Sequence, residues 1–340
     1  MKNLLSKVVE GVTLSEEEAF KAMNAIMNGE TSQGQLMSML SVLRFRGETV
    51  EEMTGFVRAM RENMTKLETE DDDLVDTCGT GGDGASTFNI STAVSIVLAG
   101  MGVKVAKHGN RKVSSTSGSA DVLEALGIPI DTTPEQGARA LREKGMTFLF
   151  APLYHQAMKH AGPARQELGF RTVFNLLGPM SNPANAKRQL IGIYDTAYAE
   201  KMAEALHQLG SKHVLLATGR DGMDEITVTG VTDLVELKDG EIQRFTVTPE
   251  ELGLNRGSLE DIQIETKEES ATIIADVIKG KANESAMTIV TMNAAAGLYV
   301  AGKVETLKEG VKQVQCAIEK RVVENYYHSI AEEKENRQYA

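Results

Sequence analysis

The sequence predicts an α/β fold in which a small all-helical N-terminal unit precedes a larger unit with a mostly parallel central sheet flanked by helices. Three observations predict it. Up to about residue 66 the apolar positions recur only at helical spacing. Beyond residue 74, short apolar runs of strand length alternate with helical segments, as in a parallel sheet covered on both faces. Between them lies the acidic run Glu68-Thr69-Glu70-Asp71-Asp72-Asp73, which reads as a solvated linker. The expected boundaries are 1–67 for the helical unit and 74–340 for the α/β unit.

Leu14-Ser15-Glu16-Glu17-Glu18 opens one helix, with acidic residues near its positive end. Thr31-Ser32 precedes a second that runs through Met37, Met39, Leu40 and Leu43, and Thr49-Val50-Glu51-Glu52 begins a third. With Met23 and Met27, these side chains offer more apolar surface than three helices readily bury, so part of it is expected to meet a partner.

In the larger unit, Leu74-Val75 reads as a strand end, 93–102 as a small-residue helix, Val103-Lys104-Val105-Ala106 as the next strand and 119–126 as a helix. Thr133-Pro134 starts a helix that ends near Gly145, since proline suits a first helical turn. Residues 146–150, 190–194 and 214–217 are strand-length apolar runs, with a helix at 197–209 between the last two. Residues 154–169 read as helical with a Gly162-Pro163 interruption that could hinge. Two strands, 234–238 and 241–245, flank Asp239-Gly240 and form an antiparallel hairpin. Helices at 286–301 and 307–320 close the pattern.

The 340 residues suit two units, and 41% hydrophobic content suits a buried core. A net charge of -12 argues against a general nucleic-acid binder, while leaving room for a local basic pocket. Two cysteines, Cys78 and Cys316, give neither a disulfide framework nor a zinc cluster, so reduced thiols are expected. The N-terminus lacks a sustained apolar core, and no stretch approaches the roughly 20 apolar residues of a membrane span. A cytoplasmic protein with no membrane contact is expected.

The chemistry concentrates in two loops. Asp76-Thr77-Cys78-Gly79-Thr80-Gly81-Gly82-Asp83-Gly84, continuing to Asn89-Ile90-Ser91-Thr92, places four glycines between a strand and a helix. Glycine lets main-chain N–H groups approach an oxyanion, and the helix N-terminus adds further donors. The Walker lysine is missing and the spacing is not that of a dinucleotide fingerprint; taken alone, the run also fits a tight turn and a capped helix. The second loop, Lys107-His108-Gly109-Asn110-Arg111-Lys112-Val113-Ser114-Ser115-Thr116-Ser117-Gly118-Ser119, brings cations and hydroxyls to the carboxyl end of the next strand, where open α/β sheets hold ligands.

These segments, with Gly162-Pro163-Ala164-Arg165, Arg171-Thr172-Val173-Phe174-Asn175-Leu176-Leu177-Gly178-Pro179 and the pair Asp224-Glu225, resemble the anthranilate phosphoribosyltransferases of tryptophan biosynthesis across essentially the whole chain. The resemblance implies displacement of pyrophosphate from C1 of 5-phosphoribosyl 1-pyrophosphate (PRPP) by the amino group of anthranilate. Such chemistry needs donors, cations and metal rather than a covalent nucleophile. It implies that PRPP meets Gly79, Gly82, Asp83, Thr87, Asn89, Ile90, Ser91, Thr92, Lys107, His108, Gly109, Asn110, Arg111, Lys112, Val113, Ser114, Ser115 and Ser119. Anthranilate would meet Gly79, Asn110 and Arg165, whose guanidinium suits a carboxylate.

Magnesium would be held by Asp224 and Glu225 with Ser91, hard oxygen donors that suit this ion. By itself an Asp-Glu pair after Gly219-Arg220-Asp221-Gly222 also fits an exposed turn. No acid or base is assigned, His108, His155 and His160 being open to packing roles. The resemblance further implies a homodimer through the helical unit, which parts of 154–178 would join. Two departures stand out, Lys112 and Leu153, both where the family more often has a polar residue. The rival expectations are a pyrimidine-nucleoside phosphorylase and a non-catalytic nucleic-acid-binding relative.

Overall fold

The computed structural model describes residues 1–111 and 117–331. Its first four helices are α1 (Lys2–Val9), α2 (Glu16–Met27), α3 (Gln33–Arg46) and α4 (Val50–Glu62). Three of them begin with reciprocal caps: Ser15 with Glu18, Ser32 with Gln35 and Thr49 with Glu52. Each pair satisfies two N–H groups that a helix start would leave bare. The sequence reading did not include α1, which has no side-chain cap and lies against α3.

The chain continues with β1 (Val75–Gly79), α5 (Ile90–Gly100), β2 (Val105–Gly109), α6 (Ser119–Ala125), α7 (Pro134–Lys144), β3 (Met146–Phe150), α8 (Ala151–Tyr154), α9 (Gly162–Leu168), α10 (Val173–Met180), β4 (Arg188–Gly192), α11 (Ala199–Gln208), β5 (His213–Gly219), β6 (Thr232–Lys238) and β7 (Glu241–Val247). Helices α12 (Lys267–Ile278), α13 (Glu284–Val300), α14 (Leu307–Glu319) and α15 (Val322–Ala331) follow. The strands form one sheet in the order β3-β2-β1-β4-β5-β6-β7. Strands β1 to β5 pair in parallel, and β6 and β7 are antiparallel additions at one edge. The expected hairpin turn is present, with φ of 51° at Asp239 and 88° at Gly240, the left-handed pair a tight hairpin demands.

Chain direction across the sheet reverses between β1 and β4, so a crevice opens beyond their carboxyl ends. Both sheet faces are covered. Leu190, Leu215, Ala217 and Leu234 pack with α5 and α13, whereas Ile191, Val214, Leu216, Val235 and Leu237 pack with the N-terminal helices and α9 to α11. Alternate residues of one strand thus enter different cores.

Three expectations need correction, and a fourth gains detail. Met23, Met27, Met39 and Leu40 are buried within this chain, in the cluster that includes α9, α10 and the sheet face, so the methionine surplus finds its cover without a partner. Gly162-Pro163 does not interrupt a helix but starts α9, because proline fits the first turn, where no N–H bond is lost. Strand β2 runs on to Gly109, three residues into the expected loop, since its register with β3 extends to Gly109 opposite Phe150. The acidic linker is solvated as expected, with Asp72 and Asp73 exposed, and it also carries surface ion pairs: Asp71 with Lys104, Asp72 with Lys187, and Asp73 with Arg188 and Lys212. Each of these cations lies at or next to the start of a strand.

Candidate functional site at the β1–β4 crevice

Two glycines make the crevice possible. Gly79 ends β1 directly opposite Gly192, which ends β4. A Cβ on Gly192 would lie 1.5 Å from the Asp224 carbonyl oxygen, and one on Gly79 would lie 2.7 Å from Asp224 Oδ2. The strand ends must therefore be bare for the β5–β6 connection, which carries Asp224 and Glu225, to lie across them. Gly81 N–H then donates to Asp224 Oδ2 at 2.7 Å. Gly81, Gly82 and Gly84 have φ of 68°, 76° and 75°, left-handed conformations that glycine adopts without strain.

The glycine loop is fixed from several sides. Thr80 N–H donates to Gly192 O at 2.9 Å, Tyr194 N–H donates to Thr80 Oγ1 at 3.2 Å, and Asn175 Nδ2 donates to Thr80 O at 3.4 Å. Beneath the loop, Lys107 is buried, its Nζ donating to Thr77 O at 2.6 Å and Ser91 Oγ at 3.2 Å. Burial pulls this ammonium's pKa down, while nearby Asp76 pushes it back up. Asp76 is itself fully buried and accepts from His108 N–H at 3.1 Å and Asn182 Nδ2 at 2.8 Å. This network sets β1 and β2 side by side, so a one-residue shift would misplace the loop above it.

A cavity of about 590 Å³ occupies the crevice. Of the sequence-expected residues, Gly79, Gly82, Asp83, Thr87, Asn89, Ile90, Ser91, His108, Gly109, Asn110, Arg111, Ser119, Arg165, Asp224 and Glu225 line it. Thr92 and Lys107 stand behind that wall, and the Thr92 hydroxyl is a buried group with no hydrogen-bond partner among the described residues. Lys112, Val113, Ser114 and Ser115 lie outside the described residues. Asn89 braces the wall as well as lining it, its Nδ2 donating to Ser117 O at 3.2 Å and its N–H to Ser270 Oγ at 3.0 Å. Arg111 is held by Glu124 at 2.5 and 2.8 Å and by Asp121 at 3.0 Å. Leu153, one of the two departures, is 39% exposed and is not part of the cavity wall.

The cavity wall carries charges of both signs. Asp224 and Glu225 lie close to Asp83, and loss of solvent pushes the Asp224 carboxyl up to about 7, with Asp83 adding to the shift. Burial and Asp224 likewise raise Glu225. Carboxylates crowded in this way favour a cation between them. Arg165, also in the wall, stacks over the Phe174 ring at 5.2 Å and has no carboxylate partner among the described residues. His108 and His155, 5.0 Å apart, are both held neutral by burial, His155 down to about 4. Burial also raises the Cys78 thiol, which is therefore not an activated nucleophile.

Comparisons with known proteins agree with this arrangement. Residues 71–320 match the model of the glycosyl transferase family, a/b domain, and residues 2–64 match that of the glycosyl transferase family, helical bundle domain. An anthranilate phosphoribosyltransferase from Geobacillus sp. (strain WCH70) is 61% identical over 93% of both chains. The chain belongs to the anthranilate phosphoribosyltransferase family. The crystal structure of the family member from Thermus thermophilus superimposes with a TM-score of 0.91 at 40% identity, covering 98% of this chain and 99% of that one. The Saccharomyces cerevisiae member in complex with PRPP and Mg has the same fold, with a TM-score of 0.89 at 24% identity over 98% of this chain and 97% of that one.

Sequence reasoning missed several residues that shape the site of this anthranilate phosphoribosyltransferase family member. Gly192 is visible as a glycine ending an apolar run, but only its pairing with Gly79 explains it. Tyr194, Asn175 and Arg171 act on the glycine loop from distant segments, and spacing gives no signal for that. Asp76 reads as part of the glycine run and is instead the buried centre of the network below it.

Proposed function

We propose that this chain transfers the phosphoribosyl group of PRPP to the amino group of anthranilate, giving N-(5-phosphoribosyl)anthranilate and pyrophosphate in tryptophan biosynthesis. The observation that carries this reading is one cavity lined by a glycine loop, an acidic pair and a guanidinium that no carboxylate among the described residues pairs. That set of groups suits a diphosphate with its cation together with an aromatic carboxylate. The identity to relatives of this name over nearly the whole chain supports the same substrates.

Glycine-loop N–H groups and the first turn of α5 receive the negative charge that grows on the leaving pyrophosphate. Buried Lys107 adds a fixed positive charge beneath Ser91. Arg165 takes the anthranilate carboxylate in a two-pronged contact, and Phe174 restricts the guanidinium plane, so the amino group is aimed along the cavity. The two histidines, kept neutral, are weak bases, in keeping with a reaction that relies on positioning and charge.

Asp224, Glu225 and the Ser91 hydroxyl would hold magnesium. Among the described residues no three His, Cys, Asp or Glu side chains are arranged to hold a metal ion by themselves, so water and substrate oxygens would complete the shell, as magnesium prefers. When bound, the ion neutralises charge on the leaving group. We further infer a cytoplasmic homodimer. No described helix is long and apolar enough to cross a membrane, and the helical unit exposes Phe45 to 94%, a side chain suited to a two-fold contact.

The test mixes protein, magnesium, PRPP and anthranilate and follows the loss of anthranilate fluorescence. Loss only when all four are present supports the reading; phosphorolysis of thymidine or uridine without that loss would replace it.

A further inference from the structure

The first turn of α10 touches two parts of the cavity wall. Phe174 carries the Arg165 guanidinium at 5.2 Å, and the adjacent Asn175 donates Nδ2 to Thr80 O in the glycine loop at 3.4 Å. Asn175 Oδ1 is engaged as well, accepting from Thr172 N–H at 3.2 Å and so closing the helix start. Three residues before Phe174, Arg171 lies over the loop, its Nε 2.7 Å from where a Cβ on Gly82 would sit. The same guanidinium stacks on Tyr194 at 4.2 Å, and Tyr194 N–H holds Thr80 Oγ1. Arg44 of α3 donates to Tyr194 Oη at 3.3 Å, extending the chain of contacts to the N-terminal helices. Thr80 is buried, so its carbonyl has no bulk water with which to replace the Asn175 bond.

We propose that this turn is a mechanical link between the two substrate sites, with Asn175 and Arg171 as its positioning residues. The proposal rests on the reading of the cavity given above. A ligand at the glycine loop fixes Thr80 and Gly82, hence Asn175 and Arg171, hence Phe174 and the plane of Arg165. Anthranilate on Arg165 acts in the reverse direction, because coupling between sites is reciprocal. Asn175 lines the cavity, and both polar atoms of its side chain are already engaged, Nδ2 by Thr80 O and Oδ1 by Thr172 N–H, so its role is to position the loop. Its loss would uncouple the sites and leave each one formed.

Asn175→Asp tests this, because the variant keeps the oxygen that caps α10 and turns the donor to Thr80 O into a charged acceptor that repels it, breaking the link at that contact. Anthranilate affinity is measured by its fluorescence, with and without magnesium pyrophosphate, a pair that cannot react. In the wild type, magnesium pyrophosphate should shift the anthranilate Kd by about fivefold or more, the usual scale of coupling between sites. In Asn175→Asp that shift should fall below about twofold, with anthranilate affinity in the absence of pyrophosphate changed by less than about threefold. Phe174→Leu breaks the other end of the link and should lose the coupling too, which keeps the test decisive if Asn175→Asp fails to fold. Coupling of wild-type size in a folded variant, or no coupling in the wild type, would overturn the proposal. Failure of anthranilate to bind the wild type at all would instead overturn the functional reading beneath it.

Discussion

Asp224 and Glu225 show how the site trades stability for chemistry. Burial and Asp83 raise Asp224, and burial and Asp224 raise Glu225, which the Lys107 ammonium offsets only in part. Replacing them by Asn and Gln removes the repulsion while keeping the shape, so Asp224→Asn with Glu225→Gln should abolish turnover at ordinary magnesium and raise the Tm in metal-free buffer. Thermal melts beside the fluorescence assay check both parts, and a lower Tm in the double variant would contradict the account. Arg165→Ala removes a charge-assisted contact of roughly 1.5–3 kcal/mol and should raise the anthranilate KM about tenfold or more, with a far smaller effect on the PRPP KM. Steady-state kinetics with each substrate varied separates the two. His155 supplies a pH signature. Burial holds its pKa near 4 against an ordinary 6.5, so the unfolded chain takes up this proton from pH 6.5 downward and the folded chain does not. Stability should fall as pH drops from 6.5 to 4, by at most about 3 kcal/mol from this group, and His155→Gln should flatten the decline of Tm over that range.

At the scale of elements, much of the fold was legible because the signals were local. The Ser15, Ser32 and Thr49 caps, Pro134 and the Asp239-Gly240 turn each act within a few residues, and each marks a boundary close to the one observed. What was not legible depends on partners far along the chain. The extension of β2 through Lys107 and His108 follows from pairing with β3, and the placing of Asp224 over Gly79 and Gly192 follows from the β1–β4 register. The site residues in the two loops could be expected from a motif; Arg171 and Asn175 lie in a segment that carries the resemblance but whose spacing assigns them no role, and Tyr194 carries no pattern of its own. Gly192→Ala tests the close approach: a Cβ 1.5 Å from the Asp224 carbonyl oxygen cannot be accommodated without moving that segment. The variant should lose several degrees of Tm and most magnesium-dependent activity, while Gly210→Ala, a positive-φ turn with open space around it, should lose stability alone. Equal activity loss in the two variants would show that the β4 end has no special role.

Across the whole molecule, the apolar surface of the N-terminal helices is shared with α9, α10 and one face of the sheet; Arg165 is carried by α9 and the glycine loop by the end of β1. Ligands that contact both α9 and the glycine loop are expected to draw these elements closer together. X-ray scattering should show a dimer that becomes more compact with PRPP and magnesium; a monomer at micromolar concentration, or identical profiles with and without ligand, would contradict this. The most direct test of the central claim is stoichiometric. With PRPP, magnesium and anthranilate, pyrophosphate release should match anthranilate consumption one to one and should stop when anthranilate is left out. Pyrophosphate release that continues without anthranilate, or anthranilate that persists while PRPP is consumed, would contradict the assignment of both substrates to one cavity.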